Sequence, residues 1–501
     1  MNIKQAKDYI KDCVRIYLKK DEFGEYRIPV VRQRPVFLLG APGIGKTAIM
    51  EQIAQELGLA LVSYSMTHHT RQSALGLPFI CQKTYDGVTT DVSEYTMSEI
   101  ISSIYETMEG SGIREGILFL DEINCVSETL APSMLQFLQY KVFGRHRIPE
   151  GWVVVTAGNP PEYNKSVREF DVVTLDRLKV LDVEADYRTW KEYASGRGIH
   201  SAILNYLELK KEHFYRIEAT MKGKTYVTAR GWEDLSEILL LYEEEGLPVE
   251  EELVSQYIRN EKIAREFTAY YELYNKYKRD YQIWNILSGQ APESAKERAR
   301  MAPFDERLSL LGMLLDQIQS EMRRVVETAD YLKELTGVLK AVKALLARGD
   351  AALETLLEGQ TKRLEEHLLS LQKAGALSKA ERKKKKQVLA FLQAEQRACL
   401  LKQDADGGFD GPQKRFQERV NAMKQETGQV SGRLHALFGF LEEVFPEGNE
   451  MLIFVTELTV NDDSARFIGM FGSEDYTRHN NALLISERRN ELQEEITALG
   501  L

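Results

Sequence analysis

The sequence contains no apolar run approaching the ~20 residues that a membrane-spanning helix needs. Its N-terminal stretch also lacks the apolar core of a signal peptide. Only four cysteines occur, and none belongs to a Cys-x-x-Cys pair, so neither a zinc site nor a disulfide framework is expected. Together these absences predict a cytoplasmic protein without a membrane span.

The sequence has fewer basic than acidic residues, with 65 Lys and Arg and 76 Asp and Glu, and its formal net charge is −11. This balance disfavours a general affinity of the surface for nucleic acid phosphates. Hydrophobic residues make up 43 % and charged residues 28 %, which excludes a mostly disordered chain. At roughly 150 residues per domain, the length predicts about three domains.

Residues 1–180 are predicted to form an α/β domain with a parallel sheet. Short apolar runs rich in β-branched and aromatic residues alternate with helical patterns in this region. Such runs are typical of buried parallel strands, and the intervening lengths suit helical crossovers. The predicted strands are VFLL at 36–39, LALVSYS at 59–65, GILFL at 116–120 and GWVVVTA at 151–157.

The rest of the sequence is dominated by helical periodicity. Residues 181–290 predict an all-helical domain, and 304–445 predict long helices in a bundle or antiparallel coiled coil. A chain that ends near residue 300 is expected to keep a folded α/β domain. The segment 446–501 is mixed or helical. The basic run KAERKKKK at 379–386 predicts a solvated helix face, with an acidic or nucleic acid partner as the alternative.

The strongest chemical signal is GAPGIGKT, which directly follows the first predicted strand and precedes a helical pattern. This is the G-x-x-x-x-G-K-[ST] motif in the context that a phosphate-binding loop requires. The glycines let consecutive backbone N–H groups point at phosphate oxygens, and the helix N-terminus reinforces them. Lys46 can reach the β- and γ-phosphates of a nucleotide such as ATP, and the Thr47 hydroxyl can ligate Mg²⁺. The loop consists of Gly40, Ala41, Pro42, Gly43, Ile44, Gly45, Lys46 and Thr47.

Two further predicted strands end in polar residues suited to nucleotide hydrolysis. Asp121 ends the strand in GILFLDEIN and is predicted to hold Mg²⁺. Glu122 is predicted to polarise the attacking water as a general base. Asn159 follows the strand GWVVVTA and is a candidate to contact the γ-phosphate or to orient water.

Three arginines are candidates for stabilising charge on the phosphates. Arg177 lies after the last predicted strand, where it can reach the nucleotide of a neighbouring subunit. Arg168 is the alternative for that role. Arg230 opens a helix of the predicted small domain, which can fold back over the phosphates.

In this order, GAPGIGKT, GILFLDEIN, VTAGNPPEYN, LDRL and TARG resemble the motifs of AAA+ ATPases, and specifically of the MoxR group in the helix-2-insert clade. The resemblance covers about residues 20–290 and places an insert at 70–96 and a hairpin around 143–151. One departure is that TARG stands where the family usually has Ser-Pro-Arg-Ala. The resemblance implies Lys46 and Thr47 in Walker A, Asp121 and Glu122 in Walker B, Asn159 as sensor 1, Arg177 as the arginine finger and Arg230 as sensor 2.

The resemblance further implies a Mg²⁺-dependent ATPase that assembles into a ring, expected to be a hexamer, with ATP bound between subunits. A chaperone-like role follows from the same kinship, in which the ring remodels a protein client bearing a von Willebrand factor A domain. Two alternatives stay open at this point. One is a nucleic-acid-dependent motor, and the other is an ATP-controlled scaffold in which the long helices matter more than turnover.

Overall fold

The computed structural model describes residues 1–68, 71–163, 167–220, 223–349, 352–400, 408–446 and 448–482. Its backbone contacts divide the chain into two units. Unit 1 consists of Met1–Thr189 and Gly359–Leu389, and unit 2 consists of Trp190–Glu358 and Ala390–Leu501. Residues 359–389, which lie within the predicted helical extension, therefore pack as part of unit 1.

Unit 1 is built on a five-stranded parallel sheet with the order β2-β5-β8-β1-β9. The four predicted strands are confirmed within one or two residues at each end. The fifth strand, β9, was not predicted, because a lysine and an aspartate leave no continuous apolar run in its five residues at the sheet edge. The strands are β1 (Val36–Gly40), β2 (Ala60–Ser65), β5 (Gly116–Asp121), β8 (Trp152–Gly158) and β9 (Lys179–Val183).

Unit 1 also contains two antiparallel hairpins outside this sheet. One lies in the range predicted for the insert, and the other lies around the range predicted for the hairpin. The first joins β3 (Pro78–Tyr85) to β4 (Val88–Tyr95), and the second joins β6 (Val142–Phe143) to β7 (His146–Arg147). Asp86 and Gly87 turn the first hairpin with φ values of 49° and 82°, as a two-residue hairpin turn requires. Thr70, the first residue of the predicted insert, lies outside the described residues.

Helices cover the sheet of unit 1 and complete its core. The interior strand β5 is buried along its apolar run, and the side chains of α4 and α5 pack against the sheet in one cluster. These helices are α1 (Ile3–Tyr17), α2 (Lys46–Leu57), α3 (Arg71–Leu75), α4 (Glu99–Ser111), α5 (Ala131–Tyr140) and α6 (Val172–Leu175).

The docking turn, residues 371–376, brings part of the helical extension into the core of unit 1. Ala374 and Ala376 are buried in the core cluster, and Leu371 packs against it. The Leu61 amide of the edge strand β2 donates to the Ala374 carbonyl at 2.8 Å. Gly375 allows this close approach with a φ of 65°. A chain that ends near residue 300 therefore lacks these buried residues, and the expectation that its α/β domain stays folded remains a prediction.

Unit 2 is predominantly helical, but it also contains a hairpin that the sequence did not predict. Strands β10 (Arg216–Thr220) and β11 (Gly223–Val227) form this hairpin within the region expected to be all-helical. The described helices from α7 to α14 are α7 (Tyr187–Arg197), α8 (Ser201–Leu209), α9 (Ala229–Glu245), α10 (Glu251–Tyr257), α11 (Glu261–Asp280), α12 (Ile283–Leu287), α13 (Glu293–Met301) and α14 (Phe304–Arg348). Helices α15 (Leu353–Lys373) and α16 (Lys379–Leu400) are divided between the two units. The helices that follow in unit 2 are α17 (Asp410–Val444), α18 (Glu450–Val460) and α19 (Asp462–Phe471).

Aromatic packing and buried ion pairs hold unit 2 together. The rings of Tyr206, Trp232 and Phe267 lie 5.3–5.9 Å apart between centroids, in the favoured tilted and edge-on arrangements. Between the long helices α14 and α17, Arg433 pairs at 2.6 Å with Glu321, whose side chain is almost fully buried. Of the predicted C-terminal segment, residue 447 and residues 483–501 lie outside the described residues. Within the described ranges, no helix has both the length and the apolar character to cross a membrane.

Candidate functional site

The glycine-rich loop connects β1 to α2 and has the backbone conformation of a phosphate cradle. Gly43 and Gly45 have φ values of 74° and 93°, which side-chain-bearing residues rarely adopt. A Cβ atom on Gly40 would lie 2.6 Å from the Val183 carbonyl of β9, so a larger residue does not fit at this position. Helix α2 begins at Lys46, and its N-terminal end therefore faces the loop.

The Lys46 ammonium links the loop to the end of β8. Its Nζ donates to the carbonyls of Gly40 and Ala41, each at 2.8 Å, and to Asn159 Oδ1 at 2.9 Å. The lysine is 8 % exposed, so its orientation is fixed by the surrounding backbone. The structure thus brings together the predicted phosphate-binding lysine and the predicted polar contact at the tip of the neighbouring strand.

Thr47 and Asp121 meet at the ends of α2 and β5. The Thr47 hydroxyl donates to Asp121 Oδ2 at 3.0 Å. A hydroxyl and a carboxylate this close fit Mg²⁺, which prefers oxygen ligands and usually keeps sites for water and phosphate. No group of three His, Cys, Asp or Glu side chains that could cage a metal occurs in the described parts of the chain. The residues present therefore fit a cation held jointly with nucleotide phosphates.

The Glu122 carboxylate is held by two hydroxyl groups that the sequence did not identify. Oε2 accepts hydrogen bonds from Ser65 at 2.8 Å and from Thr67 at 3.0 Å. The backbone of Glu122 is left-handed, with a φ of 56°, and its amide donates to Asp121 Oδ1 at 2.9 Å. Ser65 ends β2 directly opposite Asp121 in the parallel register, which explains why it reaches the acidic pair.

A buried asparagine, also missed from the sequence, positions the tip of β8. Asn124 is 3 % exposed, and its Nδ2 donates to the Asn159 carbonyl at 2.8 Å. A Cβ atom on Gly158 would lie 2.4 Å from Asn124 Oδ1, so glycine is required for this packing. The Asn124 carbonyl accepts from the Arg168 amide at 2.9 Å, which joins the next loop to the same support.

Cys125 lies beside the acidic pair without the properties of a nucleophile. Burial raises the pKa of its thiol, and the charges of Glu122 and Asp121 raise the pKa further. A thiol with a raised pKa stays protonated near neutral pH, whereas the thiolate is the reactive form. The carboxylates and the polar groups around them, rather than the Cys125 thiol, are therefore the candidate reactive groups of the site.

The three candidate arginines occupy different surroundings. Arg177 is exposed and lies between α6 and β9. It therefore precedes the last strand of the sheet, whereas the sequence analysis places it after the last strand. Arg168 pairs with Glu128 of the same chain at 2.6 Å, and both side chains are substantially exposed. Arg230 is exposed at the second position of α9 in unit 2.

Residues 35–178 match the AAA domain of the dynein-related subfamily. No curated protein matches the chain. The matched range contains every candidate site residue except Arg230, and it ends just before β9. Together with the five-stranded parallel sheet and the helical region that follows, the match supports an AAA+ ATPase, a class that binds and hydrolyses nucleotides.

Proposed function

We propose that the chain is a Mg²⁺-dependent enzyme that hydrolyses ATP to ADP and phosphate. The observation that supports this most strongly is the convergence of Lys46, Thr47, Asp121, Glu122 and Asn159 at the same edge of the sheet. The contact of 2.9 Å between Lys46 Nζ and Asn159 Oδ1 joins the loop to the end of β8. The contact of 3.0 Å between the Thr47 hydroxyl and Asp121 Oδ2 joins it to the end of β5. In open α/β sheets, ligands bind at this carboxyl edge of the strands.

Each residue has a distinct task in this proposal. The loop amides and Lys46 bind the β- and γ-phosphates, and Thr47 and Asp121 hold the metal ion. Bound Mg²⁺ neutralises negative charge on the phosphate oxygens. Glu122 orients the attacking water and accepts its proton. Asn159 contacts the γ-phosphate side of the site, where its amide is held by Lys46 and its backbone by Asn124.

We further propose that Arg177 completes the site of a neighbouring subunit in a homo-oligomeric ring, most simply a hexamer. The acidic pair and Lys46 supply base, metal ligand and one cation, but hydrolysis also develops charge on the open side of the γ-phosphate. An arginine supplied there by a neighbour can contribute a factor of about 10³–10⁵ in rate. The exposed position of Arg177 is compatible with this role, whereas Arg168 is already paired with Glu128.

Mixing two inactive variants tests the arrangement in trans. Arg177→Ala should bind ATP and hydrolyse it slowly, and Lys46→Ala should bind ATP more weakly and therefore also hydrolyse it poorly. In a randomly mixed closed ring, about one interface in four joins an intact Lys46 to an intact neighbouring Arg177. Activity should therefore return to a sizeable fraction after subunit exchange. If exchange is verified and the mixture stays inactive, the arginine acts within its own chain or is another residue, with Arg168 and Arg230 as the next to test.

The work of this ATPase is proposed to be chaperone-like remodelling of a protein client, with a von Willebrand factor A domain protein as the expected class. The MoxR resemblance supports this, since it expects an insert at 70–96, where β3 and β4 pair, and a hairpin around 143–151, where β6 and β7 pair. Acceleration of ATP hydrolysis by such a client, and no acceleration by DNA, is the expected result. The reverse pattern would replace this proposal with the motor described next.

A nucleic-acid-dependent motor is the second candidate, and one observation favours it. Helix α16 exposes four cations, Lys379, Arg382, Lys383 and Lys386, whose spacing places them on one helical face. Neutralising two of them, as Lys383→Gln with Lys386→Gln, should abolish stimulation by DNA if this candidate is correct. The same double variant should leave stimulation by a protein client unchanged if the chaperone-like role is correct.

A further inference from the structure

Unit 2 contains a cavity of about 520 Å³ among α7, α8, α14 and α18. A volume of this size falls within the range of small-ligand sites in proteins, which is about 300–1,000 Å³. Its lining combines polar and charged side chains with aliphatic ones, among them Leu204 on α8, Leu308, Leu311 and Leu315 on α14, and Ile453 on α18. The cavity can therefore bury an aliphatic chain of several carbon atoms.

Four of the charged side chains that line the cavity neutralise one another. Lys191 pairs with Glu208 at 3.0 Å and with Glu457 at 2.6 Å. Lys211 pairs with Glu208 at 2.8 Å. Two cations and two carboxylates are thus satisfied within the wall, and they leave no net charge for a ligand to balance.

Asp316 is the remaining charged group of the lining, and it forms no salt bridge with any described residue. The residue lines the cavity and is exposed as a whole, yet the surrounding protein raises the pKa of its carboxyl group by desolvation. His200, the Ser201 hydroxyl, Lys278 and Arg323 lie near enough to oppose this shift. None of them compensates the desolvation, so the ionised carboxylate lacks a close cationic partner.

A second polar group of the lining also lacks a partner. The Nδ2 atom of Asn205 on α8 is buried and donates no hydrogen bond. Its side chain lies against Gly312, where an added Cβ atom would come within 2.0 Å of Asn205 Oδ1. An unsatisfied buried donor costs about 1–3 kcal/mol. A cationic amine carries N–H donors and no acceptor, so its binding leaves that cost unchanged.

We propose that the cavity binds an alkylammonium group, with the cation on Asp316 and the aliphatic chain along the leucines of α14. A carboxylate without an ion-pair partner among the described residues, beside aliphatic side chains and mutually neutralised charges, is complementary to a single positive charge carried by an apolar body. This chemistry has two sources, a free aliphatic amine and a lysine side chain of a partner protein. The site is independent of the proposed ATPase centre, which lies in unit 1.

Calorimetric titration of the full-length protein with hexylamine near pH 7 tests the proposal. Hexan-1-ol is the neutral probe of matched chain length, and the peptide acetyl-Leu-Lys-Leu-amide represents a lysine side chain. Binding of hexylamine should be at least about tenfold weaker for Asp316→Asn, because the charge is lost while the shape is kept. Asp330→Asn is the matched control, since Asp330 lies on the same helix and pairs with Arg466 at the surface.

A second variant keeps the charge and removes the space. Thr456→Trp fills the cavity from α18 and should abolish binding of hexylamine while Asp316 is intact. Binding of the peptide but not of hexylamine would assign the site to a partner's lysine, and the converse would assign it to a free amine. Equal binding of hexan-1-ol and hexylamine, unchanged binding by Asp316→Asn, or no binding of either amine probe would overturn the proposal.

Discussion

Replacing Ala374 with aspartate should release the docking turn from the edge strand β2. Ala374 is fully buried in the core cluster of unit 1, and its carbonyl accepts the Leu61 amide hydrogen. A carboxylate at this position has no cationic partner in that cluster, which consists of hydrophobic side chains. Burying an unpaired charge costs several kcal/mol, so we expect the variant to undock the turn and expose the aspartate.

The free energy of undocking follows from the groups that the turn buries. The methyl groups of Ala374 and Ala376 contribute about 0.8 kcal/mol each, and the partly buried Leu371 contributes about 1 kcal/mol. The hydrogen bond from Leu61 adds roughly 1 kcal/mol. The total is about 3–4 kcal/mol, which corresponds to an opening equilibrium roughly a hundredfold or more larger in the variant.

Hydrogen exchange measured by mass spectrometry on the β2 peptide provides the readout. The Leu61 amide points away from the neighbouring strand and toward the docking turn, so its exchange reports undocking directly. It should exchange roughly a hundredfold faster in Ala374→Asp and at the wild-type rate in Gln372→Asp, a charge placed on the exposed neighbouring residue. Unchanged protection of Leu61 in Ala374→Asp would refute the role of the turn in the core.

Two further substitutions test the packing within unit 1. Lys141 is 2 % exposed, and burial lowers its pKa to about 8, so the buried cation destabilises the fold below that pH. Replacing it in Lys141→Met should therefore raise the free energy of unfolding by about 3 kcal/mol at pH 7. As the pH rises, Lys141 loses its proton at a lower pH in the folded protein than in the unfolded chain. The gain in unfolding free energy measured by chemical denaturation should therefore shrink between pH 8 and 10.5. A gain that stays constant with pH would argue against a buried charge. Gly158→Ala should lower ATPase activity and cost about 1–3 kcal/mol by colliding with Asn124. Gly196→Ala places its added methyl group in open space, so it should not change the ATPase activity or the free energy of unfolding by a comparable amount. Equal effects of Gly158→Ala and Gly196→Ala would contradict the packing argument.

The sheet was largely predictable because its central strands are continuous apolar runs. The run GILFL in β5 is buried on both faces, and its shortness and β-branched and aromatic residues are typical of a core strand. Edge elements give weaker signals, since β9 exposes Val180 and Asp182 while burying Leu181 and Val183. The docking turn gave no signal at all, because two alanines and a glycine have no periodicity and their burial depends on a strand far away in the sequence.

The candidate site divides in the same way. The loop at residues 40–47 and the Asp121–Glu122 pair follow from local motifs whose spacing has a chemical meaning. Ser65 and Thr67 lie on a different strand and turn, and only the register of β2 against β5 brings their hydroxyls to Glu122. A hydroxyl at a strand end is common in sequences, so pattern alone does not distinguish these two residues from ordinary surface positions.

Parallel measurement of ATP binding and phosphate release by Glu122→Gln tests whether this site hydrolyses ATP by the proposed route. The amide keeps the shape of the side chain but cannot accept a proton from water. We expect ATP affinity close to that of the wild type and phosphate release slower by about a hundredfold or more. Glu109→Gln, an exposed position on α4, should behave as the wild type. Phosphate release by Glu122→Gln at the wild-type rate would contradict the assignment of Glu122 as the water-activating residue.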